Sequence, residues 1–241
     1  MAQPPEISVV VPVFDEEGAA PALAREIAAA FAGRSYEMVF VDDASRDATR
    51  QVLTALKAEL PALRVLGHAQ NSGQSRAIRT GVLGALGEIV VTLDGDGQND
   101  PADGPELADA LRAGGPRLAM VGGERVKRQD SQAKRIASKI GNGVRKSLLK
   151  DNANDTGCGL KAFRREAFLQ LPYFDHIHRY LPALMLREGY EIAFRPVRHR
   201  HRQTGRSKYT NFGRLVVSLS DLAGVVWLRR RARLPGRIDE L

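Results

Sequence analysis

A chain of 241 residues that are 43% hydrophobic can bury a sizeable core in one domain, or in one domain with an appendage. Its single cysteine, Cys158, excludes an internal disulfide and is typical of a reducing compartment. The net charge of +8 is uneven, because residues 195–241 hold 12 Lys and Arg against 3 acidic residues. A basic C-terminal fifth indicates one anionic surface or substrate, or a solvated tail, and argues against general nucleic-acid affinity.

Predicted strands alternate with predicted helices through the first half of the chain. Short apolar runs rich in β-branched residues predict strands at 7–13, 36–41, 63–68, 88–93 and 117–121. Helices are predicted at 16–33 (with Pro21 in the first turn), 48–60, 72–86 and 104–113. This order is typical of right-handed βαβ units and predicts an α/β fold with a mostly parallel sheet flanked by helices.

The alternation of predicted strands and helices weakens after residue 121. We predict a basic helix at 132–149, a glycine-containing turn and short strand at 156–164, and a helix at 179–188. Residues 215–228 are mainly apolar and are followed by an arginine cluster. This apolar stretch is too short to span a bilayer. The segment suits a helix in the headgroup plane with Trp227 at the interface, and equally a helix packed on the domain or on a partner. The N-terminus lacks the pattern of a signal peptide, and we expect no transmembrane helix.

Acidic residues follow three of the predicted strands, at 15–17, 42–43 and 94–96. Because the carboxyl ends of parallel strands meet at one edge of a sheet, where ligands bind, these side chains should lie close together. Their mutual repulsion would be unfavourable without a cation or a donor-rich ligand between them.

The loop 94–98 (DGDGQ) is the candidate metal site. Two carboxylates and an amide oxygen at alternating positions, from Asp94, Asp96 and Gln98, suit Mg²⁺ or Mn²⁺ shared with phosphate oxygens. An EF-hand starting at Asp94 fails, because its sixth position would be Asn99 and its twelfth Pro105. An ordinary Asp/Gly turn is the competing interpretation.

Phosphate recognition is predicted from two basic clusters and one helix start. The clusters lie at 125–135 and 202–208, and Arg or Lys side chains are the usual phosphate ligands. The start of the third helix, 71–74, could offer backbone N–H groups to an anion, although an N-cap by Asn71 or Ser72 is the simpler interpretation. Neither a dinucleotide fingerprint nor a Walker A loop is present, which argues against nicotinamide, flavin and P-loop enzymes. No Ser–His or His–Asp constellation is evident in the sequence.

Several motifs together resemble the family 2 GT-A glycosyltransferases. They lie at 9–17 (VVVPVFDEE), 41–49 (VDDASRDAT) and 94–101 (DGDGQNDP). Residues 155–164 (DTGCGLKAFR), 178–184 (HRYLPAL) and 207–209 (SKY) are similar to the polyprenyl-phosphate branch, the dolichol-phosphate mannose synthase-like enzymes. Phe14–Asp15 stands where the family more often has Tyr–Asn.

The resemblance implies a GT-A (Rossmann-like) fold with a mixed sheet and a set of site residues. Catalytic roles are implied for Asp96 and Asp155, the latter facing the sugar, and metal binding for Asp94, Asp96 and Gln98. The nucleotide-binding residues would be Pro12, Val13, Phe14, Glu16, Asp42, Asp43, Asp94, Gly95 and Asp96. The residues that bind the lipid or donor phosphates would be Arg125, Arg135, Arg202, Ser207 and Lys208.

The implied reaction is inverting transfer of a sugar from a UDP- or GDP-linked donor to a polyprenyl (dolichyl or undecaprenyl) phosphate, with Mg²⁺ or Mn²⁺. We expect a catalytic domain over 1–210 and a C-terminal amphipathic, basic segment over 211–241 that contacts membrane or an oligomer partner. The expected location is cytoplasmic, peripheral to the inner membrane, with no nucleic-acid partner. The alternatives are a GT-A enzyme with a non-lipid hydroxyl acceptor, for which Asp155 could act as base, and a non-catalytic binding module.

Overall fold

The structure is a computed structural model that describes residues 3–126, 143, 145–200 and 211–236. For residues 211–216 and 218 it describes the backbone only. Seven strands in these ranges form one sheet: β1 (Ile7–Val13), β2 (Tyr36–Asp42), β3 (Leu63–Gly67), β4 (Ile89–Thr92), β5 (Leu118–Arg125), β6 (Lys161–Arg164) and β7 (Glu191–Val197). The numbered helices are α1 (Ala20–Ala30), α2 (Thr49–Leu56), α3 (Gln74–Gly84), α4 (Gly104–Ala113), α5 (Arg165–Leu169), α6 (Leu181–Arg187) and α7 (Asn211–Arg231).

The sheet is mixed and mostly parallel, as predicted. Its order is β3-β2-β1-β4-β6-β5-β7, and only β6 runs antiparallel to its neighbours. The carboxyl ends of the other strands therefore share one rim, which also receives the N-terminal end of β6. The chain moves outward from β1 through β2 and β3, then returns to place β4 on the other side of β1, so β1 and β4 form the topological switch point.

Two hydrophobic layers enclose the sheet. Val9, Val11 and Val13 of β1 point to the layer that contains α1, α2 and α4, whereas Val10 points to the layer of α3, α5, α6 and α7. This two-residue alternation on a strand buried on both faces explains why β1 reads as a continuous apolar run in the sequence.

Most predicted elements are present, and four of the helices (α1, α2, α3 and α6) are shorter than predicted. The first helix begins at Ala20, with Pro21 in its first turn, and it stops at Ala30, before Gly33 adopts a φ of 77°. Of the predicted helix 132–149, the described residues 145–149 are helical and the greater part lies outside the described ranges. The unpredicted β7 is an edge strand with Pro196 and exposed charged residues, a composition that gives little strand signal.

The C-terminal helix α7 is 21 residues long, longer than predicted, and it presents two faces. Val225 is buried, and Leu222 and Val226 pack against the layer that contains α6. Trp227 and Leu219 on the opposite side remain 62% and 59% exposed. Of the helices that the structure describes, α7 included, none combines the length and apolar character needed to cross a bilayer.

Candidate active site

The acidic loop lies at the β1/β4 switch point, directly after β4. The Leu93 amide donates to Val10 O at 3.3 Å, which keeps the chain beside β1 as it leaves the sheet. A side chain at Gly95 would place its Cβ 2.7 Å from Pro12 O, so only glycine allows the loop to lie this close to the β1 backbone. The crevice at a switch point is where open α/β sheets bind ligands.

Within the loop, hydrogen bonds from backbone amides to side-chain oxygens fix the conformation of the chain. Gln98 N donates to Asp96 Oδ1 at 3.1 Å, and Asp94 N donates to Asn99 Oδ1 at 3.1 Å. Gly97 turns the chain with a φ of 72°. The competing interpretation, a mere Asp/Gly turn, accounts for these bonds and leaves the Asp94 carboxylate to be explained.

Asp94 is partly buried among charged groups. Gln74 Nε2, at the start of α3, donates to its Oδ1 at 2.8 Å. Burial raises the pKa of Asp94, and the charge of Asp96 raises it further, against the opposing effects of Lys161 and Arg125. An ionised pair of carboxylates in this position is stabilised by added positive charge.

These donors fit a hard divalent cation. Two carboxylates and the Gln98 amide are oxygen donors of the kind that Mg²⁺ and Mn²⁺ prefer, and such ions commonly take their remaining oxygens from phosphate or water. In the part of the chain that the structure describes, no three His, Cys, Asp or Glu side chains converge as a ready-made metal cage. Asp94, Asp96 and Gln98 are therefore the candidate donors, and metal binding by them stays a prediction.

Asp42 and Asp43, both predicted to bind nucleotide, make internal bonds. Asp42 is fully buried; its oxygens accept from Ser45 N at 3.0 Å and Arg50 Nε at 2.7 Å. Asp43 accepts from the amides of Ser72 and Gly73, both at 2.8 Å. The interpretation of 71–74 as an anion site or a side-chain N-cap was therefore wrong, because the Asp43 carboxylate, directly after β2, accepts from those two N–H groups. These two bonds also set the position of Gln74.

The 14–17 loop is joined to the loop that follows β2. Asp15 N donates to Ser45 Oγ at 2.9 Å, and Glu16 N donates to Thr49 Oγ1 at 2.8 Å. Pro12 and Val13 are buried in β1, whereas Phe14 and Glu16 are partly exposed at the rim. The rim thus brings the β1, β2 and β4 loops together as predicted, while individual nucleotide contacts stay predictions.

Comparison with known proteins identifies the family. The sequence model described as Glycosyl transferase family 2 matches residues 8–171. The chain belongs to glycosyl transferase family 2.

This family 2 member is similar to bacterial enzymes named for polyprenyl-phosphate substrates. It is 36% identical over 220 residues to the undecaprenyl-phosphate 4-deoxy-4-formamido-L-arabinose transferase of Shewanella sediminis, covering 90% of this chain and 65% of that protein. It is 33% identical over 239 residues to the dodecaprenyl-phosphate galacturonate synthase of Rhizobium johnstonii, covering 96% and 69%. The chain thus spans about two thirds of the length of these relatives.

Solved structures show the same fold. One is glucosyl-3-phosphoglycerate synthase from Mycobacterium tuberculosis in complex with Mn²⁺, UDP and glucosyl-3-phosphoglycerate. It aligns with a TM-score of 0.67 at 16% identity, over 96% of this chain and 82% of that one. A mannosyltransferase from Pyrobaculum calidifontis with GDP-mannose and Mn²⁺ also gives 0.67, at 19% identity, over 97% and 66%. The predicted GT-A fold is confirmed.

In this family 2 protein, two residues predicted to act separately form one ion pair. Arg125 Nε and Nη2 donate to Asp155 at 2.6 and 2.7 Å, and both side chains are largely buried. Asp155 was expected to face the sugar and Arg125 a phosphate. The bidentate contact makes each the counter-ion of the other at the carboxyl end of β5, while their roles toward sugar and phosphate stay predictions.

Lys161, which was not among the predicted site residues, is only 4% exposed at the first residue of β6. Its ammonium donates to Cys158 O, and burial lowers its pKa while Cys158, Asp94 and Asp155 favour its charged form. A lysine inside the apolar run 160–163 was the available signal, because lysine is rarely buried without a charged partner.

Two histidine pairs that the sequence did not reveal lie near the rim. His68 Nδ1 contacts Asp43 Oδ1 at 2.7 Å and its Nε2 contacts Thr80 Oγ1 at 2.9 Å, so both ring nitrogens are occupied. His178 Nδ1 contacts Ser75 Oγ at 2.7 Å, and burial lowers the pKa of His178 well below 6.5. His68 thus joins Asp43 to Thr80 of α3, and His178 is joined to Ser75 near the start of α3. Both contacts are suited to position the N-terminal region of α3.

Four of the predicted phosphate ligands, Arg135, Arg202, Ser207 and Lys208, lie outside the described residues. The segment that leads to the last three is nevertheless fixed at the site. Arg200 N donates to Gln98 O at 2.8 Å, and Arg198 Nη2 donates to Asp103 Oδ1 at 2.7 Å. Arg200, the last described residue before the basic segment 202–208, therefore lies directly beside the acidic loop.

Proposed function

We propose that this chain transfers a sugar, with inversion, from a nucleotide-diphosphate sugar to the phosphate of a polyprenyl lipid. The observation that carries the proposal is the Asp94–Gln98 loop at the β1/β4 switch point, with Gln74 bonded to Asp94 and Arg200 bonded to Gln98. Relatives named for undecaprenyl-phosphate and dodecaprenyl-phosphate substrates support the acceptor class.

Asp94, Asp96 and Gln98 would hold Mg²⁺ or Mn²⁺, which supplies positive charge to the departing nucleoside diphosphate. Neighbours of the same fold were solved with Mn²⁺ and UDP, or with Mn²⁺ and GDP-mannose. Pro12, Val13, Phe14, Glu16 and Gly95 would surround the base and ribose at the same rim. Asp42 and Asp43 would shape this subsite through the internal bonds described above.

The acceptor requires no general base. A phosphate monoester has a second pKa near ~6, so the lipid phosphate is already a nucleophile at neutral pH. One of its oxygens attacks the anomeric carbon, and the bond to the diphosphate oxygen breaks on the opposite side. The protein holds two anionic reactants together and stabilises the leaving group electrostatically, and Arg135, Arg202, Ser207 and Lys208 would contribute to this.

The Arg125–Asp155 ion pair favours this acceptor over a hydroxyl. A hydroxyl acceptor needs a carboxylate base, for which Asp155 was the candidate. Both Asp155 oxygens accept hydrogen bonds from Arg125, so a hydroxyl proton could reach the carboxylate only by displacing one of these bonds. Asp155 would then support the sugar subsite through Arg125 and Lys161.

Attachment to the cytoplasmic face of the membrane would use α7. The helix is held on the domain by Val225 and by contact of Asp221 with His176, while Trp227 and Leu219 face outward. An outward apolar face beside Arg229, Arg230 and Arg231 is typical of helices that lie in the headgroup plane.

The test is transfer of radiolabelled sugar from UDP- and GDP-sugars, with Mn²⁺, to polyprenyl phosphate, followed by extraction into an organic phase. Wild type should move the label into that phase and Asp96→Ala should not. Label found on a water-soluble acceptor instead would favour the hydroxyl-acceptor enzyme. Absence of turnover with every nucleotide sugar would favour the binding module, and a trapped glycosyl-enzyme intermediate would overturn inversion by single displacement.

A further inference from the structure

A groove of about 360 Å³ lies between α7 and the end of the helical segment 145–149. Its lining joins three cationic side chains with apolar ones: Ser147, Leu148, Lys150, Val226, Arg229 and Arg230. None of these six residues belongs to the acidic loop or was assigned above to the donor or the acceptor.

The groove is built on fixed backbone. Lys150 has a φ of 47° and its N–H donates to Lys146 O at 2.7 Å, which ends the helical segment and turns the chain. Arg145 then binds the Asp151 carboxylate and Ala153 O, and Leu149 is fully buried. On the other side, Arg187 Nε donates to Leu228 O at 3.2 Å and holds α7 in place.

In the described part of the chain, no acidic side chain forms a salt bridge with Lys150, Arg229 or Arg230. Three cations around one concavity create a positive potential that attracts an anion, most strongly one with several oxygens.

We propose that this groove binds the phosphate headgroup of an anionic phospholipid at the membrane surface. The proposal deepens the membrane attachment suggested above and rests on it. Leu148 beside the cations is 46% exposed, and Trp227, next to Val226 on α7, is 62% exposed. A free phosphate would leave these apolar side chains in water, whereas a lipid places acyl chains against them.

The position of the groove favours a bilayer phospholipid over the acceptor lipid. Asp221 of α7 contacts His176, whose neighbour Asp175 lies by Gly73 at the rim. Arg229 is eight residues further along the helix, which corresponds to about 12 Å along its axis. Arg229 of the groove therefore lies about two turns of α7 beyond the helix position that contacts His176.

The first test compares binding of the full chain to vesicles of phosphatidylcholine with and without phosphatidylglycerol. The groove variant carries Lys150→Gln, Arg229→Gln and Arg230→Gln. A matched control carries Arg25→Gln, Lys57→Gln and Arg112→Gln, which removes the same charge from exposed positions in the opposite layer. Each basic side chain near an anionic surface contributes roughly a fivefold factor, so the groove variant should bind phosphatidylglycerol vesicles about a hundredfold more weakly, and the control almost normally.

Equal losses in the groove variant and the control would overturn the proposal in favour of long-range charge alone. Displacement of wild type from vesicles by millimolar inorganic phosphate, with no such effect of chloride at equal ionic strength, would make the groove a free-phosphate site. If the triple variant does not fold, as judged by circular dichroism, Arg230→Gln alone should still lower vesicle binding about fivefold.

The second test measures sugar transfer to a short-chain polyprenyl phosphate in detergent, without a bilayer. The groove variant should retain the wild-type rate, and loss of that rate would assign the groove to the acceptor and overturn the proposal. If wild type itself transfers no sugar, the proposed function fails, while the vesicle measurement still decides the groove.

Discussion

At the scale of single residues, the Asp94 carboxylate is held where its surroundings disfavour its negative charge. Burial and Asp96 raise its pKa, and Gln74 Nε2 at 2.8 Å is the side-chain donor bonded to it. The amides of Ser72 and Gly73, the two residues before Gln74, donate to Asp43 and so hold Gln74 in place. Gln74, whose side chain was given no role in the sequence analysis, therefore connects the end of β2 to the end of β4.

Replacing Gln74 by methionine keeps the side-chain length and removes the donor to Asp94. A hydrogen bond to a charged group is worth about 1.5–3 kcal/mol, so kcat/KM should fall about 10- to 100-fold and Mn²⁺ should bind more weakly. Steady-state kinetics over a Mn²⁺ titration measures both. Gln51→Met, at an exposed position of α2, should have neither effect. An unchanged kcat/KM in the Gln74 variant would show that Asp94 does not depend on this bond.

The candidate site was predictable where neighbours in sequence are neighbours in space. The Asp94–Gln98 loop follows a clear strand, so its place at the rim could be inferred. The Arg125–Asp155 pair could not, because its members are 30 residues apart and no periodicity links them. Lys161 acquires its neighbours only because β6 is antiparallel, which a four-residue strand does not reveal.

At the scale of elements, the turn before β6 supports the acidic loop from the far side. Gly159 O accepts from Thr92 Oγ1 at 2.8 Å, which ties this turn to the end of β4. A Cβ at Gly159 would lie 2.2 Å from Asp94 Oδ2. The glycine thus provides the space that the carboxylate occupies.

Gly159→Ala should impair catalysis far more than folding. The conflicting atoms belong to the tip of a side chain, so Asp94 moves aside while the backbone stays in place. A displacement of about 1 Å at a reacting centre can cost about a hundredfold, and we expect kcat/KM to fall by that order. Kinetics together with thermal unfolding checks this, and a loss of folded protein equal to the loss of activity would contradict it.

Gly224→Ala in α7 is the matched control for the glycine substitution. Nothing lies within 4 Å of the added methyl group, and the residue is exposed within a helix. Because alanine is the better helix former, this variant should be more stable by about 0.5–1 kcal/mol, with unchanged kcat/KM.

At the scale of the whole molecule, His178 joins segments that are 103 residues apart through its bond to Ser75. Burial, followed by the charge of Lys161, lowers the pKa of His178 well below 6.5. An unfolded chain takes up this proton near pH ~6.5, whereas the native protein does not. The contribution to stability is therefore fully present above that pH and declines as the pH falls below it.

His178→Asn should remove this decline while keeping an acceptor for Ser75. Between about pH 6.5 and about pH 5.5, wild type should lose up to about 1.4 kcal/mol more of its free energy of unfolding than the variant. Urea denaturation at both pH values provides the comparison. Parallel losses in the two proteins would mean that His178 is protonated in the native state.

The overall fold was more predictable than its edges. Fully buried strands such as β1 give continuous apolar runs, and helix α4 follows its predicted bounds because proline and glycine mark its ends. Strand β7 depends on pairing with β5, a tertiary effect that its own sequence does not encode strongly. The proposed division of the chain at residue 210 and the formation of a homo-oligomer stay predictions.

The rim also has a consequence for the order of folding. The bonds that complete it, Thr92 to Gly159 and Ser75 to His178, close loops of 67 and 103 residues. Contacts of such long range form late, because their loop-closure entropy is lost before any stabilisation is gained. A partly folded chain would therefore lack the proposed nucleotide site, so a donor analogue should slow unfolding without accelerating folding.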